Sequence, residues 1–275
     1  YAVAIDWYEG KWLHVQEYQA PLTIDPRVAK QRLLEVCGVL ASVLVVPQTS
    51  IFLKVRQIQK GLEQYEKLDQ QSRFHEMQEG NAQFWLNFED YLDTGIFLDH
   101  RMVRARIAAQ VKNKRFLNLF CYTGTMSVQA ALAGARSVVS VDLSNTYLQW
   151  AQENFALNQL TRFPQEWIQA DCVSWIQEEK TQFDVIFLNP PVFSNSKRMS
   201  GTWDVERDHA HLIQETMQRL APGGVLFFSC NLKNFKLDQA ALSQFQVIDI
   251  SRQTLEPDFA RDANRHHVFE IRRLS

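Results

Sequence analysis

Polar side chains recur where apolar runs end. Asp142 closes Ser137-Val138-Val139-Ser140-Val141, Asp171 follows Trp167 to Ala170, and Asn189 follows Phe183 to Leu188. Each run has the composition of a strand, so each polar group stands where a strand gives way to a loop. A carboxylate there accepts hydrogen bonds from the hydroxyls of a ribose or from an exocyclic amine. Upstream, Phe116-Leu117-Asn118-Leu119-Phe120 breaks at Tyr122-Thr123-Gly124 and leads into an alanine-rich stretch of helical character. Glycine lets that turn be tight and approach a ligand closely, and the helix start points free N–H groups into the same crevice. The loop lacks the G-x-G-x-x-G spacing that lays a pyrophosphate against bare backbone, since Tyr122, Thr125 and Met126 stand where small residues are needed. S-adenosylmethionine is a nucleoside cofactor without a pyrophosphate.

The run Asn189-Pro190-Pro191-Val192-Phe193 is the most specific signal in the chain. Consecutive prolines cannot continue a central strand, so they fix a rigid loop at its carboxyl end. Such a loop aims the Asn189 amide and backbone carbonyls at a planar substrate while Phe193 offers a stacking face. Lys197 and Arg198 follow as cations able to meet phosphates, as are Lys54, Arg56, Lys60 and Lys67 in the first part of the chain. Asp99 and Arg101 supply one charge of each sign for the amino and carboxylate groups of a methionine moiety. The four cysteines, Cys37, Cys121, Cys172 and Cys230, lack C-x-x-C spacing, which argues for free thiols rather than a disulfide scaffold or a zinc site. His266 and His267 have no third ligand spaced near them and read as strand-end packing or RNA contacts.

These residues need an α/β framework to hold them. From Phe116 onward strands and helices alternate, with strands ending at Asp142, near Ala170, at Leu188 and at Ser229, a helix capped by Ser144, and another over Asp204 to Leu220. Phe245 to Ile250 and Val268 to Ile271 add two more strands. Before them, Val3 to Tyr18 reads as a hairpin turning at Glu9-Gly10, Pro26 to Leu44 as a helix capped by Asp25, and Ile51 to Arg56 as a strand. Gln57 to Gln71 is polar and loop-like, and Phe74 to Phe88 reads as a second hairpin. The expected organisation is a small α+β accessory domain over residues 1–87 and a Rossmann-like domain over 88–275. Hydrophobic content of 46% and charged content of 22% fit a globular protein, and no apolar run is long enough to span a membrane, so the expected compartment is the cytoplasm. With a net charge of −2, a nucleic-acid partner must be held by a local basic surface.

With Asp142, Asp171 and Asn189-Pro190-Pro191 in place, the chain resembles the class I S-adenosylmethionine-dependent methyltransferases. FLDHR, NLFCYTGTMSV, QADC, PPVFSNSK, DVERDH and DFAR together resemble the guanine-N7 half of the bifunctional bacterial large-subunit rRNA methyltransferases, over nearly the whole chain. The resemblance implies a seven-stranded Rossmann-like sheet, a bound S-adenosyl-L-methionine, large-subunit ribosomal RNA as substrate, and an upstream methyltransferase half preceding Tyr1. It implies cofactor contacts from Phe97, Asp99 and Arg101, from Asn118, Phe120, Tyr122, Thr123 and Gly124, and from Asp142 with Leu143, Asp171 with Cys172, and Asn189. Asn189, Pro190, Pro191 and Phe193 would face the target base, and Lys197, Arg198, Arg207 and Lys233 would hold RNA. Two departures leave the product open. The family's D-P-P is N-P-P here, closer to enzymes that methylate exocyclic amines, and Cys230 stands where related cytosine-C5 enzymes carry a nucleophile. A nicotinamide-dependent oxidoreductase and a non-catalytic RNA-binding assembly factor are the rivals from other classes.

Overall fold

The computed structural model describes residues 3–18, 23–56, 73–91, 93–196 and 201–274. Expectations for Gln57 to Gln71, with Lys60 and Lys67, and for Lys197 and Arg198 lie outside the described residues. Contacts divide the chain into two compact units, Tyr1–Gln78 with Trp85–Thr94, and Glu79–Phe84 with Gly95–Ser275.

In the first unit, β1 (Val3–Tyr8) and β2 (Trp12–Tyr18) pair antiparallel, and Glu9 and Gly10 take positive φ in the turn between them. The helix α1 (Pro26–Leu44) starts with Pro26 in its first turn and with the Asp25 carboxylate accepting from Arg27 N–H at 2.8 Å. Both devices satisfy a helix start that has no preceding carbonyls. Strand β3 (Ile51–Arg56) lies parallel to β2. Leu13, Val15 and Val46 form the core under α1, with Leu33, Leu40 and Leu44 packed on them. A second hairpin, β4 (His75–Glu79) and β5 (Ala82–Leu86), turns at Gly80 and is divided between the two units, with Glu79–Phe84 in the second.

The second unit is built on a seven-stranded sheet. The strands β6 (Arg115–Leu119), β7 (Ser137–Asp142), β8 (Gln165–Gln169), β9 (Phe183–Leu188), β12 (Leu220–Cys230), β13 (Phe245–Asp249) and β14 (His267–Arg273) take the order β13-β14-β12-β9-β6-β7-β8. Between them, β10 (Phe193–Ser194) and β11 (Trp203–Asp204) form a short antiparallel pair. Neighbours from β8 to β12 pair in parallel, whereas β14 is antiparallel to both β12 and β13. Phe116, Leu117, Leu119, Val185, Ile186 and Leu188 are all fully buried, as central strands covered on both faces require. The helices α2 (Arg101–Ala108), α3 (Thr125–Leu132), α4 (Asn145–Leu157), α5 (Cys172–Glu178), α6 (Val205–Gln218) and the short α7 (Ser251–Thr254) complete the unit. Because β7 and β8 lie on one side of β6 and β9 and β12 on the other, the strand order reverses between β6 and β9. The loops after these two strands diverge there and leave a crevice at the carboxyl edge.

One expectation is corrected: the helix read over Asp204 to Leu220 ends at Gln218. The strand β12 already begins at Leu220, paired with Phe183, and its register shifts before Val225, with Gly223 at φ +73°. Pro257–Arg265 forms 3-10 turns.

Candidate functional site at the carboxyl edge of the sheet

Because β9, β6, β7 and β8 are parallel neighbours, their carboxyl ends set Asn189, the Phe120–Gly124 loop, Asp142 and Asp171 in a row along one edge. At the usual strand spacing the row is about 15 Å long.

The loop after β6 is tightly wound, with Phe120, Tyr122 and Gly124 all at positive φ (+56°, +52° and +70°). Its shape is fixed by Asp142, whose Oδ2 accepts from Tyr122 N–H at 2.8 Å while Oδ1 accepts from Ser144 N–H at 2.9 Å. Burial pushes the Asp142 carboxyl up to about 6, against the N–H groups of Ser144, Tyr122 and Leu143 that favour its charged form. Three N–H groups use three of the four lone-pair sites of the carboxylate, which leaves one for a ligand hydroxyl. Gly124 takes the expected turn, but the close approach is to α4: a Cβ would lie 2.7 Å from the Ala151 Cβ. Thr123 is buried, with its hydroxyl donating to Gly95 O at 2.5 Å and its carbonyl accepting from Asn154 Nδ2 at 2.9 Å. Asn118 lies beneath the loop, where Nδ2 donates to Ser127 Oγ at 2.8 Å and ties β6 to α3, while its buried Oδ1 has no hydrogen-bond partner among the described residues.

Asp171 caps α5. Its Oδ1 accepts from Val173 N–H at 3.1 Å and its Oδ2 from Ser174 Oγ at 3.0 Å. The Cys172 N–H, at the first position of α5, has no partner within the helix. The Cys172 thiol is buried between Phe120 N–H, from which it accepts at 3.2 Å, and Val141 O, to which it donates at 3.4 Å.

Segment Gly95 to Arg101 crosses the site and is pinned almost residue by residue. Gly95, at φ +102°, lies flat against Trp150, and the Phe97 ring sits 5.0 Å from that of Tyr122. His100 is buried with Nε2 3.1 Å from Ser229 Oγ, and burial pushes its imidazole down to about 4, so it is neutral at physiological pH. Asp99 lies 4.0 Å from His266 Nδ1. Burial pushes its carboxyl up, but His100, His266 and Arg104 outweigh that and hold it at about 2. Sequence reasoning offered Asp99 and Arg101 to the amino and carboxylate groups of a methionine moiety, and in the structure Arg101 has partners of its own. Arg101 donates to both oxygens of Asp258, at 2.7 and 2.6 Å, and lies 3.3 Å from Glu256. Two carboxylates already engage its guanidinium, while Asp99 keeps a partly exposed anion. His266, buried, meets Thr254 Oγ1 at 2.8 Å, and His267 meets Asn264 O at 2.9 Å, as strand-end packing requires.

At the other end of the row, the Asn189-Pro190-Pro191 loop is locked by Trp203, whose indole N–H donates to Pro191 O at 2.7 Å. The strand pair β10–β11 holds Phe193 opposite Asp204 and leaves its ring 49% exposed, enough for a base to stack on. Trp203 has no counterpart in the sequence-derived site, although a tryptophan shortly after a double proline is a signal for such a clamp. Cys230 is buried in the core with Phe228 and Phe235, and burial pushes its thiol up to about 11. Lys233 is exposed, whereas Arg207 forks onto its neighbour Asp208 at 2.6 and 2.7 Å.

A mostly parallel sheet with a strand-order reversal, a carboxylate after β7 and an amide-proline loop after β9 is the architecture of a nucleoside-cofactor enzyme. The family model described as S-adenosylmethionine-dependent methyltransferase matches residues 5–266, and the chain belongs to that family. It is 54% identical, over 98% of its length, to the ribosomal RNA large subunit methyltransferase K/L of Allochromatium vinosum. It is 52% identical, over 99% of its length, to the protein of the same name from Chromohalobacter salexigens. The chain spans 37% of the length of each of these relatives. Among solved structures, SMU.776 complexed with SAH superposes with a TM-score of 0.78 at 23% identity, covering 98% of this chain and 71% of the other. Methanocaldococcus jannaschii Trm5 in complex with adenosine gives 0.61 at 16%, covering 98% and 72%. Both likenesses show the fold. The residues present fit S-adenosyl-L-methionine. The loop that would cradle a pyrophosphate is filled by Tyr122, Thr125 and Met126, while Asp142, Asp171 and Asp99 offer acceptors for hydroxyls and amines.

Proposed function

We propose that the chain transfers a methyl group from S-adenosyl-L-methionine to a guanine of large-subunit ribosomal RNA, at N7. The bound cofactor supplies an electrophilic methyl group. In this reading Asp142 accepts from the ribose hydroxyls, Asp171 and the Cys172 N–H meet adenine, and Asp99 meets the methionine ammonium. The Asn189 amide and Phe193 orient the base, extruded from its helix as in other base-modifying enzymes. The first unit serves as the accessory RNA-binding domain.

The observation that carries the choice of atom is the burial of Cys230. Cytosine C5 is a poor nucleophile until a thiolate adds at C6, and a thiol buried in the core with its pKa near 11 is a poor source of one. Guanine N7 carries an in-plane lone pair and no proton, so alignment suffices and neither a base nor a nucleophile is needed. A second reading is favoured by Asn189. Its amide is half-buried with no side-chain partner among the described residues, so its oxygen is free to accept from an exocyclic amine such as guanine N2.

Labelled transfer to protein-free large-subunit rRNA followed by nucleoside analysis separates these products. The expected label is in 7-methylguanosine, with Cys230→Ala retaining most activity. Label in N2-methylguanosine would establish the second reading. Label in 5-methylcytidine, lost in Cys230→Ala, would overturn both.

A further inference from the structure

We infer that Arg104 is a positioning residue for the cofactor site, acting through Phe97 and itself aimed by Glu79. The inference rests on the reading that the cofactor occupies the crevice beside Asp142. All three residues belong to the second unit.

Arg104, on α2, is among the largest fully buried side chains of the protein, at 1% exposure. A guanidinium so placed is costly unless its donors are satisfied. Two are satisfied by Glu79, at the end of β4, with Nε to Oε1 at 2.7 Å and Nη2 to Oε2 at 2.6 Å. Because the guanidinium is planar and its donors fork at fixed angles, this bidentate pairing fixes the direction of the remaining nitrogen. Nη1 donates to Phe97 O at 3.0 Å, and the same carbonyl accepts from His100 N–H at 3.2 Å.

Phe97 needs the restraint. It is extended (φ −91°, ψ 106°), between Gly95 and the turn Leu98–His100, where no strand or helix ladder fixes its backbone. Its ring packs against Tyr122, whose N–H is held by Asp142. The chain of contacts therefore runs from Glu79 through Arg104 and Phe97 to the loop that shapes the ribose end of the site. The β4–β5 turn is independently fastened, with Gln83 N–H donating to Asn158 Oδ1 at 2.8 Å and Asn158 Nδ2 donating to Gln83 O at 2.6 Å. Glu79 is thus a fixed anchor for the arginine.

A lysine at this position keeps the charge but loses the fork, so it cannot serve Glu79 and Phe97 together. Glu79→Gln keeps volume and an acceptor and removes the charge, which makes it the milder variant should Arg104→Lys fail to fold. The measurement is calorimetric titration of S-adenosylhomocysteine into folded protein, with Phe97→Ala and Asp142→Ala alongside. Glu79→Gln is expected to weaken binding about tenfold in the native background and to change it little when Phe97 is already alanine. An equal loss in both backgrounds, or none in either while Asp142→Ala abolishes binding, would overturn the role of Arg104. Undiminished binding in Asp142→Ala would instead overturn the placement of the cofactor on which the inference stands.

Discussion

Asp142 holds the Phe120–Gly124 loop by accepting from Tyr122 N–H, and in the reading proposed above the same carboxylate accepts from the cofactor ribose. Its pKa of about 6, raised by burial, makes the stability of the unliganded protein pH-dependent in a defined direction. The folded value lies above the ordinary one, so the unliganded protein gains stability as pH falls from about 6 toward 4 and loses that gain as pH rises through 6. Ligand binding runs the other way, because ribose hydroxyls are best accepted by the ionised form. S-adenosylhomocysteine affinity should be level above pH 7 and decline below about 6, approaching tenfold per pH unit. Asp142→Asn should bind at least about tenfold more weakly, with the slope abolished. Titration calorimetry across this range checks both; a flat wild-type profile with an unaffected variant would remove Asp142 from the site.

At the scale of elements, the segment Gly95 to Arg101 is only as well placed as the surfaces it lies on. A Cβ at Gly95 would meet Trp150 Cζ2 at 2.3 Å, and φ of +102° is itself unfavourable for a side chain. Gly95→Ala is therefore expected to cost more than about 2 kcal/mol in chemical denaturation and to weaken cofactor binding. Gly223→Ala, at φ +73° with nothing within 4 Å, should cost about 1 kcal/mol and leave binding intact. Equal costs at the two positions would show that strain, not the Trp150 contact, governs Gly95. The same contrast explains which parts of the protein were legible in its sequence. The Asp25 and Ser144 caps, the hairpin at Glu9-Gly10 and the strands ending at Asp142 and Leu188 are written in neighbouring residues. Comparison with known motifs added the roles. The fate of Arg101 was not legible, because Asp258 is 157 residues away and becomes its partner only when β14 inserts between β12 and β13. Arg104 likewise carries no mark in its neighbouring residues, and only its pairing with Glu79, 25 residues earlier, turns it into a buried fork.

At the scale of the whole chain, a net charge of −2 denies any long-range attraction to RNA, so the RNA binding proposed above would rest on a few well-placed cations. The structure ranks them. Arg207, although exposed, already donates to both oxygens of Asp208 and to Thr202 O at 2.6 Å, so an approaching phosphate must compete with a carboxylate. Lys233 is exposed and has no side-chain partner among the described residues. It follows Cys230 closely at the carboxyl edge of β12, on the same side of the sheet as the Asn189 loop. Lys233→Glu should therefore weaken binding of large-subunit rRNA and lower the salt dependence by about one unit of slope, the signature of one lost phosphate contact. Arg207→Glu, which also frees Asp208, should change the slope less. Neither should alter the affinity for S-adenosylhomocysteine, since neither residue supports the row from Asn189 to Asp171. Filter binding over a salt series, paired with cofactor titration of the same proteins, measures each quantity separately. A larger slope change for Arg207→Glu than for Lys233→Glu would mean that the Asp208 pairing opens when RNA binds, and a loss of cofactor affinity in either variant would argue against an RNA-binding face distinct from the methyl-transfer site.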